Sequence, residues 1–212
     1  NTVLKSEIIS EKSTGDLLHE DSIIKKPWSA KAIIPIYSQK VAFSLPITWK
    51  AAFQDNKPST YMMEFTPKDE RLESWNNLIT VQGLKNLAKK ISPKKFMDKL
   101  SYGFKKICGD QLVYEKLGYS FIDGHRTFTA ILGCARMPNG RQTAVNKGQS
   151  EIGFYFSIQG KKDLYIVHKS IRGDAFPVEK PPLNKSNAQE FIKEILPIEI
   201  CNKDANIIAC MK

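Results

Sequence analysis

Apolar side chains alternate with polar ones in short runs over much of the chain, and at one place the period lengthens to that of a helix. AKAIIPIYSQ (30–39) and KVAFSLP (40–46) are β-prone runs, and Pro35 and Pro46 confine them to edges or strand ends. WKAAFQDN follows, and then a clear strand, STYMMEFTP (59–67). DERLESW reads as one helical turn leading into NLITVQGL, with Trp75 and Leu78 packed under a sheet.

The longer period appears in SPKKFMDKLSYGFKKICG (92–109). Ser92 is a natural N-cap, Pro93 suits the first helical position, and Gly109 supplies a left-handed C-terminal cap. At 100° per residue, Phe96, Met97, Leu100, Phe104 and Ile107 fall in one arc, with Cys108 at its border. Lys95, Lys99, Tyr102 and Lys106 fall opposite. So wide an apolar stripe predicts a helix docked on a sheet.

Two hairpins follow. Asp123-Gly124 is a two-residue turn signal that pairs Ile122 with His125 and Phe121 with Arg126. That register predicts a shared core face of Leu117, Tyr119, Phe121, Phe128, Ala130 and Leu132, with Arg126 at its end. A polar loop from Arg136 to Ser150 leads to EIGFYFSI and DLYIVHKSI, which flank QGKK. After FPVEKPPLN a last helix, SNAQEFIKEIL, is expected with Ser186 or Asn187 as its cap. The order predicts an α+β fold, an antiparallel sheet covered by helices.

Residues 1–27 are polar and weakly periodic, read as a flexible arm or a short helix; residues 28–212 are read as a single α+β domain. The absence of an initial Met and of an apolar signal core is read as a processed or trimmed N-terminus. No run approaches the ~18–20 apolar residues of a membrane span.

The net charge of +10 is local. Between Lys85 and Lys106 there are eight lysines and one acid, Asp98. A patch of this kind raises on-rates for acidic partners: a protein face, a glycan, a lipid headgroup. Nucleic acid is not expected, because the lysines are not interleaved with several stacking aromatics and no known module appears.

The four cysteines, Cys108, Cys134, Cys201 and Cys210, form no CxxC pair and have no His at ligand spacing, so no metal is expected. An even count suits two disulfides and an oxidising compartment. Of the three pairings, Cys108–Cys134 and Cys201–Cys210 are favoured: a helix end tied to a strand end, and a closed C-terminal tail. Loop entropy gives roughly 3–4 and 2–3 kcal/mol for them.

VAFSLPITWKA, with its F-x-x-P-x-x-W spacing, resembles the opening of the PsbP-like fold, an α/β/α sandwich shared by extrinsic photosystem proteins and a Ran-binding nuclear import factor. DLYIVHKSIRG resembles that group's late strand before a final helix. EFTPKDERLESWNNLITVQ, with ICGD and LGCAR, is similar to secreted or periplasmic proteobacterial proteins, and the Lys- and Ile-rich composition suits a type II secretion substrate of a Legionella-like bacterium, a virulence setting. The resemblance spans about 32–196. It implies a fold and a partner-binding role, and it brings no catalytic residue, metal or cofactor.

No GxSxG, HExxH, Walker or dinucleotide motif is present. His168 reads as a hydrogen-bonded strand residue and His125 as an exposed one; Asp123, His125 and Arg126 are neighbours through their turn only. The expectation is a secreted or periplasmic non-catalytic binding protein that meets an acidic partner through Lys95, Lys99, Tyr102 and Lys106. Two alternatives stand beside it. One is an enzyme with a site around Arg126, His168 and Tyr165; the other is an envelope assembly or scaffold factor that uses the arm.

Overall fold

The structure, a computed structural model, describes residues 29–138, 149–205 and 210. The expected arm, 1–27, lies outside the described residues. Among the described residues ten strands form two sheets: β1 Ser29–Ile36, β2 Gln39–Pro46, β3 Trp49–Asn56, β4 Thr60–Pro67, β5 Asn77–Leu84, β6 Leu112–Ile122, β7 His125–Cys134, β8 Ser150–Gln159, β9 Leu164–Gly173 and β10 Glu199–Asn202. Helix α1 is Pro93–Cys108 and α2 is Ala188–Ile192.

The large sheet has the order β3-β4-β5-β9-β8-β7-β6, and the small one β1-β2-β10. All described pairings are antiparallel. Phe43, Pro46 and Trp49 mark the place where the chain changes sheet: Phe43 is buried in β2, Pro46 ends that strand, and Trp49 opens β3. Pro35 lies in edge strand β1 and Pro46 at a strand end, as expected.

Alternation sorts the large sheet's side chains into two cores. On one face Met97 of α1 packs with Phe128, Ala130, Leu132, Tyr155, Leu164 and Ile166. On the other, Ile34, Ile36, Val41 and Phe43 of the small sheet meet Ile79, Val81, Ile131, Phe154, Tyr165 and Val167. The fold is thus α+β and mostly antiparallel, but the second face is covered chiefly by strands. The expected last helix is too short to cover it. Only Ala188–Ile192 is α-helical; a 3₁₀ turn, Lys193–Ile195, follows, and Asn187 caps the helix without a side-chain bond.

Close approach of the sheets depends on Gly83 in β5, where a Cβ would run into Cγ2 of Ile36. At the same end a buried carboxylate, Asp163, gathers three turns. It accepts from the Ser38 amide (3.1 Å) and hydroxyl (2.5 Å), the Asn86 amide (2.7 Å) and the Tyr165 hydroxyl (3.4 Å). Burial opposes its charge, yet these bonds keep its pKa below the usual carboxylate value.

The β6–β7 hairpin has the expected register, with Ile122 opposite His125 and Phe121 opposite Arg126. Asp123 (φ 47°) and Gly124 (φ 75°) take the left-handed conformations of a primed turn. The predicted core face is only half present. A bulge between Lys116 and Gly118 shifts the register, and Leu117 packs toward the small-sheet side. Tyr119 and Phe121 share the face of Phe128 but extend into solvent, 43% and 72% exposed.

Cys108 is joined to Cys134 and Cys201 to Cys210, with Cα–Cα distances of 5.5 and 5.6 Å. The first ties the end of α1 to the end of β7. Trp75 and Leu78 are buried, as expected, and the Arg172 guanidinium lies 3.8 Å from the Trp75 ring centre. No helix among the described residues is long and apolar enough to cross a membrane.

Candidate binding surface

Helix α1 is built as its sequence dictates. The Ser92 hydroxyl accepts from the Lys95 amide at 3.3 Å, Pro93 occupies the first turn, and Gly109 (φ 56°) caps the C-terminus through its N–H to the Lys105 carbonyl. The inward line is Met97, Ser101 and Cys108, with Phe96, Leu100 and Phe104 on its margins. Burying a side chain such as Met97 contributes about 1.5–3 kcal/mol, enough to hold the helix's rotation about its axis.

Lys95, Lys99, Tyr102 and Lys106 are therefore all exposed, on one outward strip. Among the described residues no carboxylate lies within 4 Å of these three ammonium groups. Tyr102 is 64% exposed, and the Lys106 ammonium lies 4.6 Å from its ring centre, a cation–π contact.

The flank facing β6 is organised by Asp98. Its carboxylate accepts from Lys94 (2.8 Å), Lys116 (2.9 Å) and the Tyr114 hydroxyl (3.0 Å). Burial would raise its pKa, but these three donors outweigh burial and hold it at about 2. Tyr114 is shifted the other way, by burial and then by its bond to that carboxylate. The one acid of the 85–106 stretch is thus already paired with two lysines.

Beyond Lys94 the surface continues onto the hairpin. The Arg126 guanidinium sits 4.1 Å from the Tyr119 ring centre, and Tyr119 meets Phe128 edge-on at 5.1 Å. Of the five exposed large apolar side chains among the described residues, three, Tyr102, Tyr119 and Phe121, lie on the α1 side among basic groups.

The residues of the alternative catalytic reading do not converge. Tyr165 is buried toward the small sheet, its hydroxyl 3.2 Å from the Ile36 carbonyl. His168 points to the opposite face, and Arg126 lies two strands across and four residues along from it, roughly 16 Å by strand rise and spacing. His168 does behave as a hydrogen-bonded strand residue: Nδ1 lies 3.0 Å from the Ser170 hydroxyl, and the ring stacks on Tyr155 at 4.4 Å. Burial pushes its pKa down to about 3.

Cross-strand register places Glu64, Thr80, His168 and Tyr155 side by side in one row, which strand-by-strand reading did not foresee. Thr80 is buried there with its hydroxyl unpaired. Burial first, then Glu151, raises the Glu64 pKa against the opposing Arg172.

The three residues near the turn have separate duties. Asp123 accepts from the Ile200 amide at 2.8 Å, tying the hairpin tip to β10. His125 is half-buried rather than exposed. Its Nδ1 lies 3.0 Å from the Gln159 carbonyl and so donates. Its Nε2 lies 3.2 Å from Gln39 Nε2 and accepts, because Gln39 Oε1 is taken by the Lys161 amide at 2.7 Å. Arg126 turns away onto Tyr119.

An open groove of about 570 Å³ is lined by Ser38, Lys161, Lys162, Lys203 and Asp204, among others, at this end of the molecule. Among the described residues no three His, Cys, Asp or Glu side chains form a group able to hold a metal ion.

No protein-family model matches the chain, and no curated protein matches it. Among solved structures, the Ran-binding protein Mog1p of Saccharomyces cerevisiae aligns over 79% of this chain and 85% of its own, at 13% identity and a TM-score of 0.40; a point mutant of Mog1 gives the same figures. A Bacteroides thetaiotaomicron protein aligns over 78% of this chain and 46% of its own, at 9% identity and a TM-score of 0.39. These are distant likenesses, and the reading of the surface rests on the chain's own geometry.

Proposed function

We propose that this chain is a non-catalytic binding domain whose α1 outer face contacts an acidic macromolecule. One observation carries the reading: Lys95, Lys99 and Lys106 stand on one strip around an exposed Tyr102, with no carboxylate partner among the described residues. A surface evolved only for solubility mixes both signs of charge. Here Asp98 is already taken up by Lys94, Lys116 and Tyr114, so among the described residues no carboxylate compensates the charge of the strip. Exposed tyrosine supplies contact area at low entropy cost.

The secreted or periplasmic setting belongs to the same proposal. It is supported by two disulfides that leave no free cysteine. The PsbP-like assignment is supported by Phe43, Pro46 and Trp49 standing where the chain changes sheet.

The test is a pull-down at two salt concentrations with wild type and the Lys95→Glu/Lys99→Glu/Lys106→Glu variant. The variant should fold normally and lose salt-sensitive capture. Undiminished capture by the variant overturns the proposal.

A further inference from the structure

The order of the large sheet leaves β6 at its edge, directly beside α1. Edge strands are usually guarded by lysine, proline or a bulge against pairing with other chains. The first half of β6 is guarded: Lys116 and the bulge at Gly118 (φ 124°) lie there, and Glu115 accepts from the Lys185 amide at 3.2 Å. The second half, Tyr119-Ser120-Phe121-Ile122, carries none of these guards. Among the described residues nothing pairs with its outer backbone groups.

The side chains of this open stretch alternate as a strand requires. Tyr119 and Phe121 face the α1 side; Ile122 packs partly into the core on the other. Phe121, 72% exposed, is held in place, because Asp123 and His125 anchor the tip of the same hairpin. Lys94, Lys116 and Arg126 surround the shelf, and among the described residues Asp98 is the one carboxylate paired with any of them.

We infer that the outer edge of β6 over residues 119–122 adds an extended acidic peptide segment as a further strand, with an apolar side chain of that segment resting on Phe121 and Tyr119. This rests on the basic-face reading and names the chemistry of its partner. Backbone pairing supplies affinity in such complexes, and alternate side chains supply choice. A second copy of this chain would bring the same basic groups, Lys94, Lys116 and Arg126, to the seam and is the poorer fit by charge. A flat bilayer resting on the α1 lysines is the poorer fit, because Phe121 lies on the sheet edge, one layer below the outer face of the helix.

The test uses three fluorescein-labelled ten-residue peptides: a Glu/Leu peptide, Ser-Glu-Ser-Glu-Ser-Leu-Ser-Glu-Ser-Glu, whose Leu and Glu side chains share one strand face; its Glu/Ser counterpart with Ser in place of Leu; and the Glu/Leu peptide N-methylated at alternate residues. Fluorescence anisotropy is read against wild type, Phe121→Ser and the triple Lys→Glu variant. Wild type should bind the Glu/Leu peptide at least about tenfold tighter than either other peptide, and Phe121→Ser should erase that preference. Equal binding of the Glu/Leu and Glu/Ser peptides, lost in the triple variant, overturns this inference and leaves the basic-face reading standing. No peptide binding by wild type, together with Phe121-dependent binding to phosphatidylserine vesicles, overturns it in favour of a lipid surface.

Discussion

The Asp98 carboxylate on α1 accepts a hydrogen bond from the Tyr114 hydroxyl on β6 at 3.0 Å, sixteen residues further along the chain. That bond, with those from Lys94 and Lys116, fastens the first half of the helix to the edge of the sheet, while the Cys108–Cys134 disulfide holds its other end. Asp98→Asn keeps the shape and removes the charge. It should cost on the order of 1 kcal/mol, because the ion pairs are partly solvated. Urea denaturation at neutral pH measures this, and an unchanged midpoint would show that the hub contributes nothing to stability.

The buried imidazole of His168 makes stability depend on pH. Its folded pKa, about 3, lies below the ordinary His value of 6.5. Between those values the unfolded chain binds a proton that the native protein does not, so stability falls as pH drops from about 6.5 toward 3, by up to about 1.4 kcal/mol per pH unit. Asp98 acts in the same direction in a lower window, from 3.8 down to about 2. Glu64, with its raised pKa, acts oppositely just above 4.5. Comparing wild type with His168→Phe by thermal melts from pH 7 to 4 isolates the imidazole. The variant should show the shallower slope, and parallel slopes would refute the assignment.

Gly83 sets how closely the two sheets pack. Gly83→Ala places a methyl against Ile36, which is buried with 1% exposure, and the core has to shift. A loss of about 1–3 kcal/mol is expected. Adding Ile36→Ala to the variant should recover part of the loss through coupling across the contact. Strictly additive losses in the double variant would place the strain elsewhere.

Much of this was legible in the chain because the signals are local. Ser92, Pro93 and Gly109 bound α1 by their backbone chemistry, and Asp123-Gly124 sets a hairpin register within a few residues. The outward set Lys95, Lys99, Tyr102 and Lys106 follows from 100° steps alone. What was not legible depends on residues far apart. The bulge at Gly118 reverses which side Leu117 takes, and nothing in LGYSFI announces it. The small sheet exists because β10, near the C-terminus, pairs with β2, a separation that no period reveals. Asp98 looked like one acid among lysines, and its role depends on Tyr114 and Lys116 being brought beneath it. His125 looked exposed because its partners, Gln39 and Gln159, come from other strands.

The carboxylate of Asp163 receives the Ser38, Asn86 and Tyr165 groups at once, so the β1–β2 turn, the segment after β5 and the β8–β9 turn share a single opening event. The Ser38 and Asn86 amide hydrogens are therefore expected to exchange with solvent together, as parts of one cooperative unit whose members lie up to 125 residues apart in the chain.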